Sequence, residues 1–244
     1  MRLARSLALA LFLLIAVIGV AVWLFLRGFV RFNYPSRAEY PVQGVDVSHH
    51  QRRIDWERLR ADGYAFAFIK ATEGGDYRDP LFASNWDAAG RAGVVRAAYH
   101  FFTFCTAGEK QAANFLAVAP PAEGTLPPVV DVEYHGNCAR PPAEDAIRSE
   151  LVIFIQRIES THRRRPIIYV TSRSYKEIVA GAFADYPLWA RNIFLEPRLE
   201  RGAWTFWQYA DRGRVDGVGG LVDLDAFRGS EAEFRVCVTT EKCR

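Results

Sequence analysis

The sequence predicts an irregular α/β barrel of about five strand–helix units followed by three further strands, preceded by a single transmembrane helix. Three observations predict it. Strand-like apolar runs alternate with helical stretches through the first two thirds of the chain, the pattern of parallel strands joined by right-handed crossovers. Eight such runs fall within about 200 residues, which suits a closed cylinder better than an open sheet. Ahead of them, Leu7 to Leu26 reads LALALFLLIAVIGVAVWLFL, 20 residues without a charge, long enough to span a bilayer as a helix.

That first segment is expected to be an uncleaved signal anchor. A cleavable leader has a shorter apolar core and small residues just after it, whereas Trp23, Leu24, Phe25 and Leu26 stand there. Residues 1–6 then form a short cytoplasmic N-terminus, 27–41 a tether, and 42–244 the barrel domain with a cysteine-containing C-terminal tail. Residues 1–38 hold five arginines and no acid. They flank the apolar stretch on both sides, so charge alone does not orient it.

The strand candidates are 42–48, 64–71, 94–102, 127–133, 166–171, 187–191, 205–210 and 220–227. Helices are expected between the first five. IDWERLRAD has Asp55 near its start and Gly63 just past its end. PLFASNWDAAGRAG ends on glycine, and GEKQAANFLAVA stops at Pro120. In EDAIRSELVIFIQRIESTH the apolar residues Ile147, Leu151, Phe154, Ile155 and Ile158 follow a helical period. From Pro187 onward the intervening stretches are short and rich in Gly and Arg, with no room for full helices.

The excess of base over acid lies in the N-terminal segment, so the globular part is not basic and nucleic acid is excluded as a partner. The four cysteines, Cys105, Cys138, Cys237 and Cys243, form no CxxC and have no zinc spacing with a histidine. An even count behind an export signal favours disulfides and an oxidising compartment. Of three connectivities, Cys105–Cys138 and Cys237–Cys243 are expected. The domain is therefore placed on the periplasmic or extracellular side of the cytoplasmic membrane.

In such barrels the site lies at the carboxyl ends of the strands. Reading those ends in order collects Asp46, Lys70, Tyr99, the pair Asp131 and Glu133, Tyr169, Trp189, Trp207 with Gln208, and Asp223 with Asp225. Asp131 and Glu133 close the run LPPVVDVE. One residue apart on a strand, they project from the same face. Two acids so close resist ionising together, which drives their pKa values apart. Acids, aromatics and amides without a nucleophile–base–orienter set suggest a sugar: rings stack on pyranose faces, and carboxylates serve an oxocarbenium-like transition state. His49, His50, His100 and His135 lie near these acids, but nothing in their spacing demands a metal.

The motifs GVDVSHHQRRIDW, FAFIKATEG, AYHFF, PVVDVE, PLWAR, FWQY and VDLDAF stand in the order found in glycoside hydrolase family 25 lysozymes, and the chain resembles that family over residues 42–228. The resemblance implies a distorted barrel that cleaves the β-1,4 bond from N-acetylmuramic acid to N-acetylglucosamine in peptidoglycan. It implies Glu133 as general acid and Asp131 as the residue that orients and charge-stabilises the 2-acetamido group. Asp46 and Asp223 match the remaining site acids. Tyr99, Trp207, Gln208, Tyr169, Trp189 and Lys70 are the expected substrate contacts. Two positions depart from the family: Asp225 stands where Asn is common, and Arg52 where glycine is common. Both a substrate-assisted retaining course and an inverting course with Asp46 or Asp223 as base fit these residues. The competing readings are a catalytically silent peptidoglycan-binding module and a metal-dependent phosphodiester hydrolase. No cofactor is expected. The expected partners are glycan strands and, through the N-terminal helix, the membrane; the protein is expected to be a monomer.

Overall fold

Each strand is a short run of β-branched, aromatic and small apolar residues, and the order of pairing decides where the polar ends meet. The computed structural model describes residues 2–183, 185–200, 203–240 and 243. After helix α1 (Arg2–Leu26) come β1 (Gln43–Val47), α2 (Trp56–Ala61), β2 (Tyr64–Glu73) and the two-residue β3 (Tyr77–Arg78). Then follow α3 (Phe82–Arg91), β4 (Val95–Phe101), α4 (Gly108–Leu116), β5 (Val129–Val132) and α5 (Glu144–His162). The chain continues through β6 (Ile167–Val170), α6 (Ser172–Ser174) with a π-helical turn to Val179, β7 (Leu188–Arg191), β8 (Phe206–Gly213), β9 (Val222–Phe227) and α7 (Glu231–Thr239). Pairing runs β1-β9-β8-β7-β6-β5-β4-β2, and β1 also pairs with β2, so eight strands close a barrel while β3 extends β2 as a hairpin. Within the barrel all neighbours are parallel except β9, which is antiparallel to both β8 and β1, and the hairpin strand β3 is antiparallel to β2.

Alternation along the strands builds two cores. Val130 and Val132 point outward into the layer beneath α4 and α5, with Leu151, Phe154 and Ile155. Val129 points inward, into a barrel interior filled by Phe66, Phe68, Trp189, Phe206 and Phe227. Their rings meet at centroid distances of 4.1 to 5.4 Å. Phe234 of α7 closes the lower end, 5.5 Å from Phe66 and 5.3 Å from Phe227. The lower half is thus solid with aromatic carbon, and the polar interior residues are left at the carboxyl ends of the parallel strands.

Two segments expected as tail and tether take definite structure. The C-terminal segment, expected as a cysteine-containing tail, contains α7. Ser230 caps it, and Glu233 returns the bond to the Ser230 backbone, a reciprocal capping box. The tether, 27–41, packs along the barrel. Among the described residues the helices pack chiefly on β2 and β4 and on one another, and this segment lies along β8 and the start of β1. Asn33 Nδ2 donates to the Tyr209 carbonyl (3.4 Å), Gln43 Nε2 to the Pro35 carbonyl (3.1 Å), and Tyr40 packs on Trp204 and Trp207.

Both expected disulfides are present, Cys105–Cys138 joining the loops after β4 and β5 and Cys237–Cys243 fastening the end of α7. α1 is solvent-exposed, and Arg5–Leu26 is long and apolar enough to cross a membrane.

Candidate active site

A cleft of about 380 Å³ opens at the carboxyl ends of the strands. Asp46 on β1 and Asp223 at the start of β9 are directly paired across the antiparallel ladder, so their side chains enter the cleft side by side. Gln208 of β8 binds both: its Nε2 donates to Asp46 Oδ2 at 2.7 Å and to Asp223 Oδ2 at 3.3 Å. The Tyr169 hydroxyl donates to Gln208 Oε1 at 2.9 Å, which fixes the amide's orientation. One level deeper, Trp189 Nε1 donates to Asp225 Oδ1 at 2.8 Å. Asp225 Oδ2 is buried without a hydrogen-bond partner.

On the opposite wall, Asp131 is the polar inward residue of β5 and Glu133 follows the strand's end. Asn137 holds that end in place. Its Nδ2 donates to the carbonyls of Glu133 (3.0 Å) and Phe102 (2.9 Å), and its Oδ1 accepts from the Phe104 amide (2.8 Å). The β4 and β5 loops, already joined by Cys105–Cys138, are thereby fixed around Glu133. Lys70 Nζ lies 2.7 Å from Glu73 Oε2 at the rim. Asp131 Oδ1 is buried and unpartnered, an acceptor that a substrate N–H can fill.

So many acids in one dry place do not all ionise. Burial holds Asp46 well above the usual carboxylate range, and the charges of Asp223 and Asp225 push it further, against the bond from Gln208. Asp223 is pushed up to about 7 by burial and then by Asp211, with Arg191 pulling the other way. Burial and then Glu133 raise Asp131, while Lys70 opposes. Glu133 is raised by burial against the pull of Arg191, His135 and Lys70. Burial also pushes the Tyr99 and Tyr169 hydroxyls up, so both keep their protons as donors.

Of the expected site residues, Asp46, Lys70, Tyr99, Asp131, Glu133, Tyr169, Trp189, Gln208 and Asp223 all line this cleft. Trp207 does not. It is adjacent to inward-facing Gln208, so strand alternation turns it outward, where Nε1 donates to the Asn192 carbonyl and the ring packs on Tyr40, Trp204 and Tyr209. His100 likewise faces away from the cleft. It bridges Thr72 and Gln111 beneath Phe154, and burial holds it neutral, its pKa lowered to about 3. His49 sits against Asp79 (2.9 Å). His50, Phe101, His135 and Gly136 join the lining and were not singled out as substrate contacts; Phe101 ends β4, and the other three lie outside the strands, where side-chain directions follow no alternation.

The profile of glycosyl hydrolases family 25 matches residues 45–218. The chain belongs to glycosyl hydrolase family 25. Lysozyme M1 of Streptomyces globisporus is 36% identical over 205 residues, covering 79% of this chain and 70% of that protein. The uncharacterised protein YegX of Escherichia coli O157:H7 is 38% identical, covering 82% and 75%. A family 25 glycosyl hydrolase from Bacillus anthracis superposes with a TM-score of 0.79 at 36% identity, covering 84% of this chain and 96% of that one. As a member of this family the protein is a glycoside hydrolase. Its two departures from the family pattern now have a physical description. Arg52 has φ +58°, the left-handed region that glycine enters without penalty. Asp225 is fully buried, has nearly asparagine's shape, and is held well above the usual carboxylate range by burial and by Asp223, which favours its uncharged form.

Proposed function

We propose that the protein is a membrane-anchored muramidase that hydrolyses the β-1,4 bond from N-acetylmuramic acid to N-acetylglucosamine in peptidoglycan. The observation that carries this reading is the delivery of Asp131 and Glu133 together into one acid-lined cleft opposite Asp46 and Asp223. Similarity to Lysozyme M1 supports the substrate, and the apolar span Arg5–Leu26 supports the anchor.

Glu133 is the general acid. Burial keeps its proton into the range where it can be given to the glycosidic oxygen, and its position at the mouth of the cleft, less buried than Asp131, puts that proton next to the leaving group. Asp131, deeper on the same face, takes the N–H of the 2-acetamido group on its unpartnered Oδ1 and stabilises positive charge as the bond breaks. The Asp46–Gln208–Asp223 cluster forms the far wall, where burial holds both acids above the usual carboxylate range. Tyr99, Tyr169 and Trp189 border the sugar site as donors and ring faces.

The test is digestion of purified peptidoglycan by the full-length chain in detergent micelles, following new reducing ends. Glu133→Gln is expected to lower the rate by about 10²- to 10⁴-fold while leaving binding in place. Binding by the parent chain without new reducing ends would overturn the assignment in favour of a silent module.

A further inference from the structure

The chain reaches the barrel at the end where the cleft opens. α1 stops at Leu26, and the following residues sit on the rim made by the end of β8. Gly28 is buried there with φ +73°, and a Cβ would come within 2.5 Å of Leu221 Cδ2 and closer still to the Arg212 carbonyl. Only glycine allows that approach. Arg214 donates to the Arg27 carbonyl and lies 4.5 Å from the Phe29 ring centroid, while Arg212 lies 5.5 Å from that of Phe25. Phe32 bridges Phe25 and Phe194, at 4.8 Å to each. Phe194 belongs to the loop after β7. The same rim carries the Arg191–Asp211 pair (2.9 Å), whose charges act on Asp223, Arg191 acting on Glu133 as well.

This rim is unusual in composition. Outside α1, nine large apolar side chains are exposed among the described residues, and six of them lie here: Phe29, Val30, Phe32, Tyr34, Phe194 (60%) and Leu195 (71%). A soluble surface seldom gathers so much apolar area in one patch. Arginines outnumber acids beside it: Arg27 and Arg31 from the segment after α1 and Arg191, Arg212 and Arg214 from the barrel stand against Asp211 and Glu196. Aromatic rings and arginines continuous with the end of a bilayer-length helix are what a headgroup layer of anionic lipid accepts.

We propose that this aromatic–arginine rim rests in the anionic headgroup layer and holds the barrel with its cleft end toward the bilayer, so that the enzyme cuts glycan strands lying at the membrane surface. The inference rests on the membrane-anchored reading above. It adds an orientation and a substrate population, because a free tether would let the cleft sample strands in any direction.

The four native cysteines are paired, so one added cysteine is the sole thiol for a polarity-sensitive fluorophore. Leu195→Cys reports the rim, and Glu123→Cys, exposed in the loop before β5 at the other end of the barrel, is the control. The full-length chain is reconstituted in phosphatidylglycerol-containing vesicles with and without brominated acyl chains. The expected result is a blue shift and quenching by bromolipid at position 195 and neither at position 123. A label at 195 as wet and unquenched as that at 123, in protein that stays with the vesicles through an alkaline wash, overturns the docking alone. Release by that wash overturns the anchor and the docking with it. Equal quenching in phosphatidylcholine vesicles overturns the part given to the arginines. Leu195→Asp is expected to cleave solubilised glycan at the parental rate and to lose activity on glycan attached to vesicles; equal loss on both, or on neither, also overturns the proposal.

Discussion

Asp225→Asn exchanges a fully buried carboxyl for an amide of nearly the same shape. The bond from Trp189 Nε1 survives, because the amide oxygen can take the place of Oδ1. What changes is the proton. In the unfolded chain an aspartate ionises near pH 3.9. In the folded protein, burial first and Asp223 second hold Asp225 well above that value, and the bonds from Trp189 and Asp46 only partly offset them. A group whose pKa is raised by folding gives its full stability below the unfolded value and loses it as pH rises through the folded one.

Keeping the proton to pH 7, about three units above the unfolded value, costs about 4 kcal/mol at most, at 1.36 kcal/mol per unit. Asn carries no such term. Asp46 and Asp223 share the same dry site and redistribute protons when Asp225 is gone, so about half the ceiling, ~2 kcal/mol, is the expected gain at pH 7. For a chain of this size that is a rise in Tm of about 4–8 °C. Near pH 4 the two proteins are expected to melt together. The assay is thermal unfolding of full-length protein and variant in detergent, followed by near-ultraviolet circular dichroism across that pH range. A variant no more stable than the parent at pH 7, or a difference that does not grow with pH, refutes a neutral Asp225.

Arg191→Gln removes a cation that holds the Glu133 proton down, so the alkaline limb of the kcat/KM profile is expected to move up by about one pH unit; a pH–rate series checks it. Asn137→Ala breaks the bonds that fix the backbone around Glu133. It is expected to lower stability by about 2–3 kcal/mol and kcat by about 10²-fold with little change in KM, read from melting and steady-state kinetics. Arg52→Gly relieves a left-handed backbone at an exposed turn and is expected to stabilise by about 1 kcal/mol without altering activity, again by melting.

Much of the barrel was legible because its signals are periodic. The expected helix at 144–162 and the observed α5 coincide, since five apolar residues at helical spacing leave little freedom. The carboxylate pair on one face of β5 followed from alternation alone. The segments that escaped are those without a period. α7 is a single amphipathic turn-and-a-half of contact, with only Phe234 and Cys237 buried. Its start was nevertheless encoded in Ser230-Glu231-Ala232-Glu233, a capping box that a reading based on hydrophobic runs passes over. The segment 27–41 packs along β8 and the start of β1, a surface that exists only once the barrel has closed.

Trp207 and Gln208 illustrate the limit at the site itself. Both were expected to contact substrate, yet neighbouring residues of one strand cannot share a face. Parity sends one inward, and the choice depends on which is polar enough to meet Asp46 and Asp223. Gln208 supplies a donor to both acids, whereas Trp207 satisfies its one N–H on the outer loop. The same argument explains Asp225. As a letter in the sequence it adds a negative charge beside Asp223. As a side chain it lies beneath the polar layer, where one further charge would have to be held out of water next to two others. Burial therefore favours the uncharged carboxyl there, the form closest to the asparagine common in the family.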